Sequence, residues 1–311
     1  MTARQLWLRI GQALLVLLAT YTLAFILLSA LPSDAIMARY ASPDLGLSSD
    51  EINAIRAEYG ADKPLIVQYF TSLFGFLTGY FGYSVQTGAS IASMVAEALP
   101  GTLALAISAF VLACIWALLI AVAASFSRGL RGFVLGLPSL MVSLPSFWIG
   151  IILIQLVSFK LGWVPVIGAS PVQSLILPAL TLSIPIAAPL AQVLVRSIED
   201  VERQPFISVV KARGASRSRI FFGNVLRNAL LPALTIAGVL FGELVGGAVV
   251  TEAVFGRAGI GQMTVNAVAN RDTPVLMAVV VIAATLYVLI NLLVDLLHPV
   301  LDPRVRRKER A

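Results

Sequence analysis

The chain has 311 residues, of which 59% are hydrophobic and 12% charged, whereas soluble domains carry about 25% charged residues. A soluble core has no room for that much apolar surface, so lipid is expected to be its main solvent. The net charge of +6 does not indicate nucleic acid, because the basic residues fall between long apolar runs, where they read as topology signals rather than a binding stripe.

Residues 1–9 form a short basic N-terminus, followed by an uncharged run whose 10–31 portion is expected to be the first span. The run is longer than a signal-peptide apolar region of about 7–15 residues, so it is expected to remain as an uncleaved anchor. The long outer segment 32–98 contains a short helix, with Ser48 or Ser49 as its cap, Asp50 and Glu51 in its first turn and Gly60 at its end, as helix-cap and dipole preferences direct. The Gly- and aromatic-rich stretch 69–83 suits the membrane interface, where Tyr anchors are common.

Further spans are expected at 99–126, 132–159, 172–195, 231–250 and 274–298, with an outer segment at 251–273 and a tail at 299–311. Each has the roughly 20 apolar residues that a crossing needs, and a helix satisfies its own backbone there. The fold class is therefore an all-α polytopic membrane protein with about six transmembrane helices. Pro138 and Pro145 interrupt the third span, and Pro178, Pro185 and Pro189 the fourth. Such prolines kink helices, either to line a cavity or only to shape packing. The single cysteine, Cys114, supports no disulfide or zinc site.

Segments 1–9, 127–131, 196–230 and 299–311 hold sixteen of the 22 Lys and Arg residues, and the opposite side holds six. The positive-inside bias is expected to put both termini in the cytoplasm.

The loop 196–230 is too long for a plain turn and fits two short amphipathic helices. The first covers about 198–213, with Pro205 at a start or kink and apolar positions Val201, Phe206, Val209, Val210 and Ala212. Gly214 is suited to end it, because glycine reaches the left-handed conformation cheaply. Ser216 then caps a second helix with apolar Ile220, Phe221, Val225 and Leu226 and basic Arg217, Arg219 and Arg227. Two readings stand: a basic hairpin on anionic lipid, or a surface helix that docks in a groove of a cytosolic partner.

The stretch Val209-Val210-Lys211-Ala212-Arg213-Gly214-Ala215-Ser216, with Leu226-Arg227-Asn228-Ala229-Leu230-Leu231-Pro232, resembles the cytoplasmic signature loop of ABC importer permeases. It is most similar to the B-type subunit of dipeptide, oligopeptide and nickel permeases. Four further segments agree: Gly79-Tyr80-Phe81-Gly82-Tyr83-Ser84; Gly246-Gly247-Ala248-Val249-Val250-Thr251-Glu252-Ala253-Val254-Phe255 with Gly259-Ile260-Gly261; Arg271-Asp272-Thr273-Pro274; and Leu301-Asp302-Pro303-Arg304. The general loop consensus begins Glu-Ala-Ala, where this chain has Val210-Lys211-Ala212, a departure that suits the peptide branch.

The resemblance implies a type I ABC importer transmembrane fold. It implies a second permease subunit (a heterodimer), two cytosolic ATPases, an extracytoplasmic solute-binding protein and a peptide or similar small solute. It also implies a coupling core of Ala212, Gly214, Ala215 and Ser216 with Arg213, Arg217 and Arg219 beside it. ATP and magnesium would then belong to the partners. The chain itself has no G-x-x-x-x-G-K-[ST], H-E-x-x-H, Cys pair or G-x-S-x-G, so no catalytic, cofactor or metal site is expected in it.

Glu243 falls mid-span in the fifth helix, and an intramembrane carboxylate is a functional hypothesis by default. Three roles stay open: binding a peptide's cationic N-terminus, pairing with another subunit, or packing in protonated form. Gly238, Gly242, Gly246 and Gly247 make a small-residue face that permits close helix contact, either with a second permease along the translocation path or within the bundle. Asp295 and the lone His298 are expected to be interfacial and structural. The rival function is a self-contained secondary transporter, which would show inverted repeats and several buried ionisable groups.

Overall fold

Long apolar runs become long helices. The computed structural model describes residues 3–30, 35–40, 46–127, 129 and 131–301. Arg128, the Asp302-Pro303-Arg304 ending and the remaining tail lie outside the described residues, as do the side chains of Asp295 and His298. The helices are α1 (Ala3–Ser29), α2 (Ala35–Tyr40), α3 (Ser49–Glu58), α4 (Leu65–Thr78), α5 (Ile91–Phe126), α6 (Arg131–Ser143), α7 (Ser146–Leu153), α8 (Gln173–Glu202), α9 (Pro205–Ala212), α10 (Arg217–Ile220), α11 (Leu226–Phe255), α12 (Ile260–Ala269) and α13 (Thr273–Leu301). A π-helical stretch, Ile154–Lys160, continues α7, and another, Phe221–Val225, joins α10 to α11.

Among the described residues, five helices are long and apolar enough to cross a membrane: Trp7–Ser29, Ile91–Phe126, Gln173–Glu202, Arg217–Leu244 and Thr273–Val294. A sixth crossing is made only if the pair Arg131–Ser143 and Ser146–Lys160, bent by 99°, counts as one. The break follows from Pro145, which caps α7; proline lacks the amide hydrogen and pushes its predecessor out of the helical region. The stretch 132–159 is thus a broken element rather than a straight rod. By contrast, α8 runs unbroken through Pro178, Pro185 and Pro189, as buried spans do when neighbouring groups re-satisfy the freed carbonyls. The segment 217–255 is helical throughout, so the expected 231–250 span is the middle of a longer element.

The chain divides into two units. The first comprises residues 1–6, 103–257 and 289–311. Its core is built on α8, where Leu182, Leu190 and Leu194 pack with Ala109, Ala113 and Ala117 of α5 and Ala237, Leu240 and Leu244 of α11. The small residues let the helix axes approach closely, which drives packing in lipid, where apolar transfer contributes little.

The second unit comprises residues 7–102 and 258–288. Tyr21 of α1 is buried with Ala24 and Met277, and Tyr69 and Phe76 of α4 pack on them. The Tyr21 hydroxyl donates to the Tyr69 carbonyl oxygen at 3.0 Å. Ile91, Val95, Ile260, Met263 and Val275 form a second cluster, and the Ile260 amide donates to Thr102 Oγ1 at 2.8 Å. Ser48 caps α3 in a reciprocal box with Glu51.

Candidate functional site

In the first unit, a hairpin leaves the end of α8 and returns into α11. The turn begins at Arg203 and Gln204, whose amides still donate to Glu199 and Val201 carbonyl oxygens. Pro205 opens α9 at the position where its missing amide hydrogen costs nothing. The expected helix over 198–213 is therefore divided, with its first turn belonging to α8. At the hairpin's tip Gly214 has φ +78°, with open space around the position a side chain would take. Ser216 caps α10, its hydroxyl accepting from the Arg219 amide at 3.4 Å.

Burial separates roots from tip. Ile207, Ile220, Phe221 and Val225 are buried in the unit's core. Ala212, Arg213, Gly214, Ser216, Arg217 and Arg219 are exposed, and Ala215 is half-buried. The structure thus brings all the candidate coupling residues together on one protruding turn. Arg217 differs from the other two arginines. Its guanidinium donates to the Ser125 carbonyl oxygen and lies 5.1 Å from the centroid of the Phe126 ring. The last carbonyls of α5 attract a cation, and the ring face adds to it. Phe126 also meets Phe221 edge-on at 5.0 Å and stacks on Phe222 at 6.2 Å. Nearby, Arg131 pairs with Glu199 at 2.7 Å with both partly exposed, a geometry that contributes little stability.

The second group of candidates separates on α11. Val239, Glu243, Gly246 and Val250 are exposed and recur at helical spacing, so they share one outward stripe. Gly242 is buried. A side chain at Gly247 would meet Leu182 Cδ1 at 3.0 Å, whereas the space beside Gly246 is open. Gly247 therefore serves packing inside the bundle, and the outward face keeps Glu243 and Gly246.

By sequence, Thr251 and Glu252 fall in the outer segment 251–273. The structure places both in the last turns of α11, and Glu252 is fully buried. A second group went unassigned. In the second unit, the Asp272 carboxylate is buried and accepts from the Ser84 hydroxyl, from the Val85 amide at 3.3 Å and from the Gln86 amide at 3.4 Å. Gln86 Nε2 donates to the Asn270 carbonyl oxygen at 2.7 Å. Two of the family-like segments, around residues 84 and 272, therefore meet in space.

A bundle of long apolar helices, one pair of which is joined by a basic hairpin with roots buried in the core, defines a multi-pass membrane permease. Comparison with known proteins identifies the kind. The chain belongs to the family described as binding-protein-dependent transport system inner membrane component, which matches residues 109–307; the corresponding N-terminal family matches residues 2–106. A Brucella abortus protein named as a peptide transport system permease is 34% identical over 308 residues, covering 96% of this chain and 97% of its own. The glutathione transport system permease protein GsiC of Salmonella paratyphi A is 34% identical over 295 residues, covering 94% and 95%. A chain from an inward-facing structure of the MetNI methionine ABC transporter superposes with a TM-score of 0.57 at 19% identity, covering 67% of this chain and 96% of that one, and so shares the fold. The protein is an inner-membrane permease subunit of an ABC importer, which sets aside the self-contained secondary transporter.

Proposed function

We propose that this chain is half of a translocation path for peptides or peptide-like solutes such as glutathione, moved by cytosolic ATPases that grip the 203–225 hairpin. The observation that carries it is the hairpin itself: an exposed tip at Ala212, Arg213, Gly214, Ser216 and Arg219 on roots buried in the helix core. A tip that flexed freely would absorb a push; one anchored by Ile207 and Phe221 passes it to α8 and α11. The exposed stripe of α11 supports a second permease subunit beside it. A carboxylate at mid-span costs about 3 kcal/mol in lipid, so Glu243 is better placed against a protein partner or the aqueous path.

The names of the relatives supply the solute class. The Lys and Arg asymmetry supplies the orientation, with both termini and the hairpin cytoplasmic. In this reading ATP and magnesium are bound by two ATPase subunits, and an extracytoplasmic binding protein delivers the solute. This chain binds no cofactor and catalyses no reaction.

The test is uptake of a labelled peptide library into proteoliposomes holding the chain with its co-encoded permease, ATPases and binding protein. Uptake that needs ATP, hydrolysable and inside the cytoplasmic compartment, supports the reading. Transport by the purified chain alone on an ion gradient sinks it, as does labelling of a Gly214→Cys variant from the outer side of the membrane.

A further inference from the structure

We propose that Asp272 is a positioning residue for solute delivery: its carboxylate latches the outer turn 84–87, and through it the α2–α3 cap, onto the corner between α12 and α13. This rests on the importer reading above.

One carboxylate holds three donors of a distant turn. Asp272 is 3% exposed, and a buried carboxylate is stable only when its oxygens are well supplied with donors. It takes three from consecutive residues of a turn 186 to 188 positions away in sequence, Ser84, Val85 and Gln86. Ser84 is itself fully buried, and its hydroxyl oxygen accepts from the Thr87 amide at 3.0 Å. The turn is thus wound around the Ser84 hydroxyl, and that hydroxyl is fastened to Asp272.

The other side of the same turn carries the cap. The Tyr59 hydroxyl, at the end of α3, donates to the Ser84 carbonyl oxygen at 3.3 Å. Val85 packs with Ile36 of α2 and Ile55 of α3. Arg39 of α2 donates to Gln86 Oε1 at 2.5 Å, while the amide end of Gln86 reaches Asn270. The turn is the middle plate of a sandwich, and Asp272 fixes its lower face.

The corner is built to present that carboxylate. Arg271 has φ +54°, the one non-glycine residue with positive φ among those described. A side chain in that region is strained, and such strain is retained where the surrounding structure demands it. The Asp272 amide donates to the Ala267 carbonyl oxygen at 2.8 Å, which closes α12 while the Asp272 carboxylate reaches the turn. Immediately afterwards Thr273 opens α13. A cap held this way keeps one register relative to the last span, and that register is what a docking protein outside would read.

The test uses the assembled complex in nanodiscs, with Asp272→Asn, Ser84→Ala and, as a control, Asp62→Asn on the exposed surface of the same segment. Spin labels at Ala54→Cys and Ala269→Cys, in a Cys114→Ala background, report the distance between cap and corner. In Asp272→Asn and Ser84→Ala this distance distribution is expected to broaden. The concentration of binding protein needed for half-maximal ATPase stimulation is expected to rise about tenfold, the scale of one lost charge-assisted hydrogen bond, with the maximal rate within about twofold. Asp62→Asn is expected to change neither.

A distribution as narrow as wild type in Asp272→Asn overturns the latch. A broadened distribution with unchanged binding-protein dependence overturns the positioning role, as does a fall in maximal rate with no change in half-maximal concentration. If Asp272→Asn does not assemble, Ser84→Ala decides by the same two readouts. A wild-type complex that shows no ATP-dependent uptake defeats the importer reading instead, and the distance measurement still judges the latch.

Discussion

The guanidinium of Arg217 sits 5.1 Å from the centroid of the Phe126 ring, on the side of the hairpin that faces the end of α5. Arg217 belongs to the element proposed to be gripped, and Phe126 to a spanning helix, so the pair is a strut between tip and bundle. Removing it by Arg217→Ala is expected to leave insertion intact, because Ile207, Ile220 and Phe221 still root the hairpin. The lost stacking amounts to about 1 kcal/mol at an exposed site. The expected result is a several-fold lower ratio of solute taken up to ATP hydrolysed in proteoliposomes, with Arg219→Ala, at an exposed position without that strut, acting on ATPase assembly instead. An unchanged ratio in Arg217→Ala removes the strut from the account.

Gly214 offers a cleaner perturbation, because its surroundings are empty and only its backbone is demanding. A β-branched residue at φ +78° carries a penalty of roughly 1–2 kcal/mol, whereas Asn tolerates the left-handed region better. Gly214→Val is expected to insert normally but to hydrolyse ATP without proportionate uptake, and Gly214→Asn to fall between it and wild type. Equal transport by the Val variant counts against the tip as a rigid lever.

Local chemistry made some of this legible in the sequence and long-range contact hid the rest. The cap of α3 needs only Ser48 and Glu51, three residues apart, and the hairpin tip only Gly214 and Ser216; both are short-range patterns. Prolines were harder. Pro145 marks a 99° break, while three prolines in α8 leave it continuous, and the difference lies in neighbouring helices that no local window contains. Glu252 was obscured because α11 continues past the most apolar window. The Asp272–Ser84 bond joins residues 188 apart; each stood in a family-like segment, yet nothing in either segment named the other as its partner.

The α3 cap also sets a pH dependence. Hydrogen bonds from the Ser48 amide and hydroxyl hold the Glu51 carboxyl below its ordinary value. A carboxylate whose folded pKa is depressed adds stability that is fully present above the unfolded value, about 4.3, and lost as pH falls through the folded one. Protection of the 49–58 amides from exchange, corrected for intrinsic chemistry, is therefore expected to hold from neutral pH down to the ordinary carboxylate range and to decline below it. Ser48→Ala is expected to weaken protection at neutral pH by about 1 kcal/mol and to remove most of the acid-dependent change.

Glu243 decides what covers α11. It shares an exposed stripe with Val239, Gly246 and Val250, and three environments predict different outcomes for Glu243→Leu. Facing lipid, the leucine relieves a mid-span carboxyl, and the complex is unchanged or more stable. Against a second permease, where the carboxylate is paired, the leucine strands a buried partner charge, which costs about 3–5 kcal/mol and weakens subunit association. In the aqueous path, assembly survives while uptake falls, with Glu243→Gln retaining part of it. The expected result is one of the last two, read by co-purification of the partner permease and by uptake per assembled complex. A Gly246→Cys probe on the same stripe, in the Cys114→Ala background, is expected to cross-link to the partner subunit or to react with a small polar thiol reagent. Full transport by Glu243→Leu, together with a Gly246→Cys thiol reached only by membrane-soluble reagents, would return this face to the lipid and leave the path to be formed by other helices.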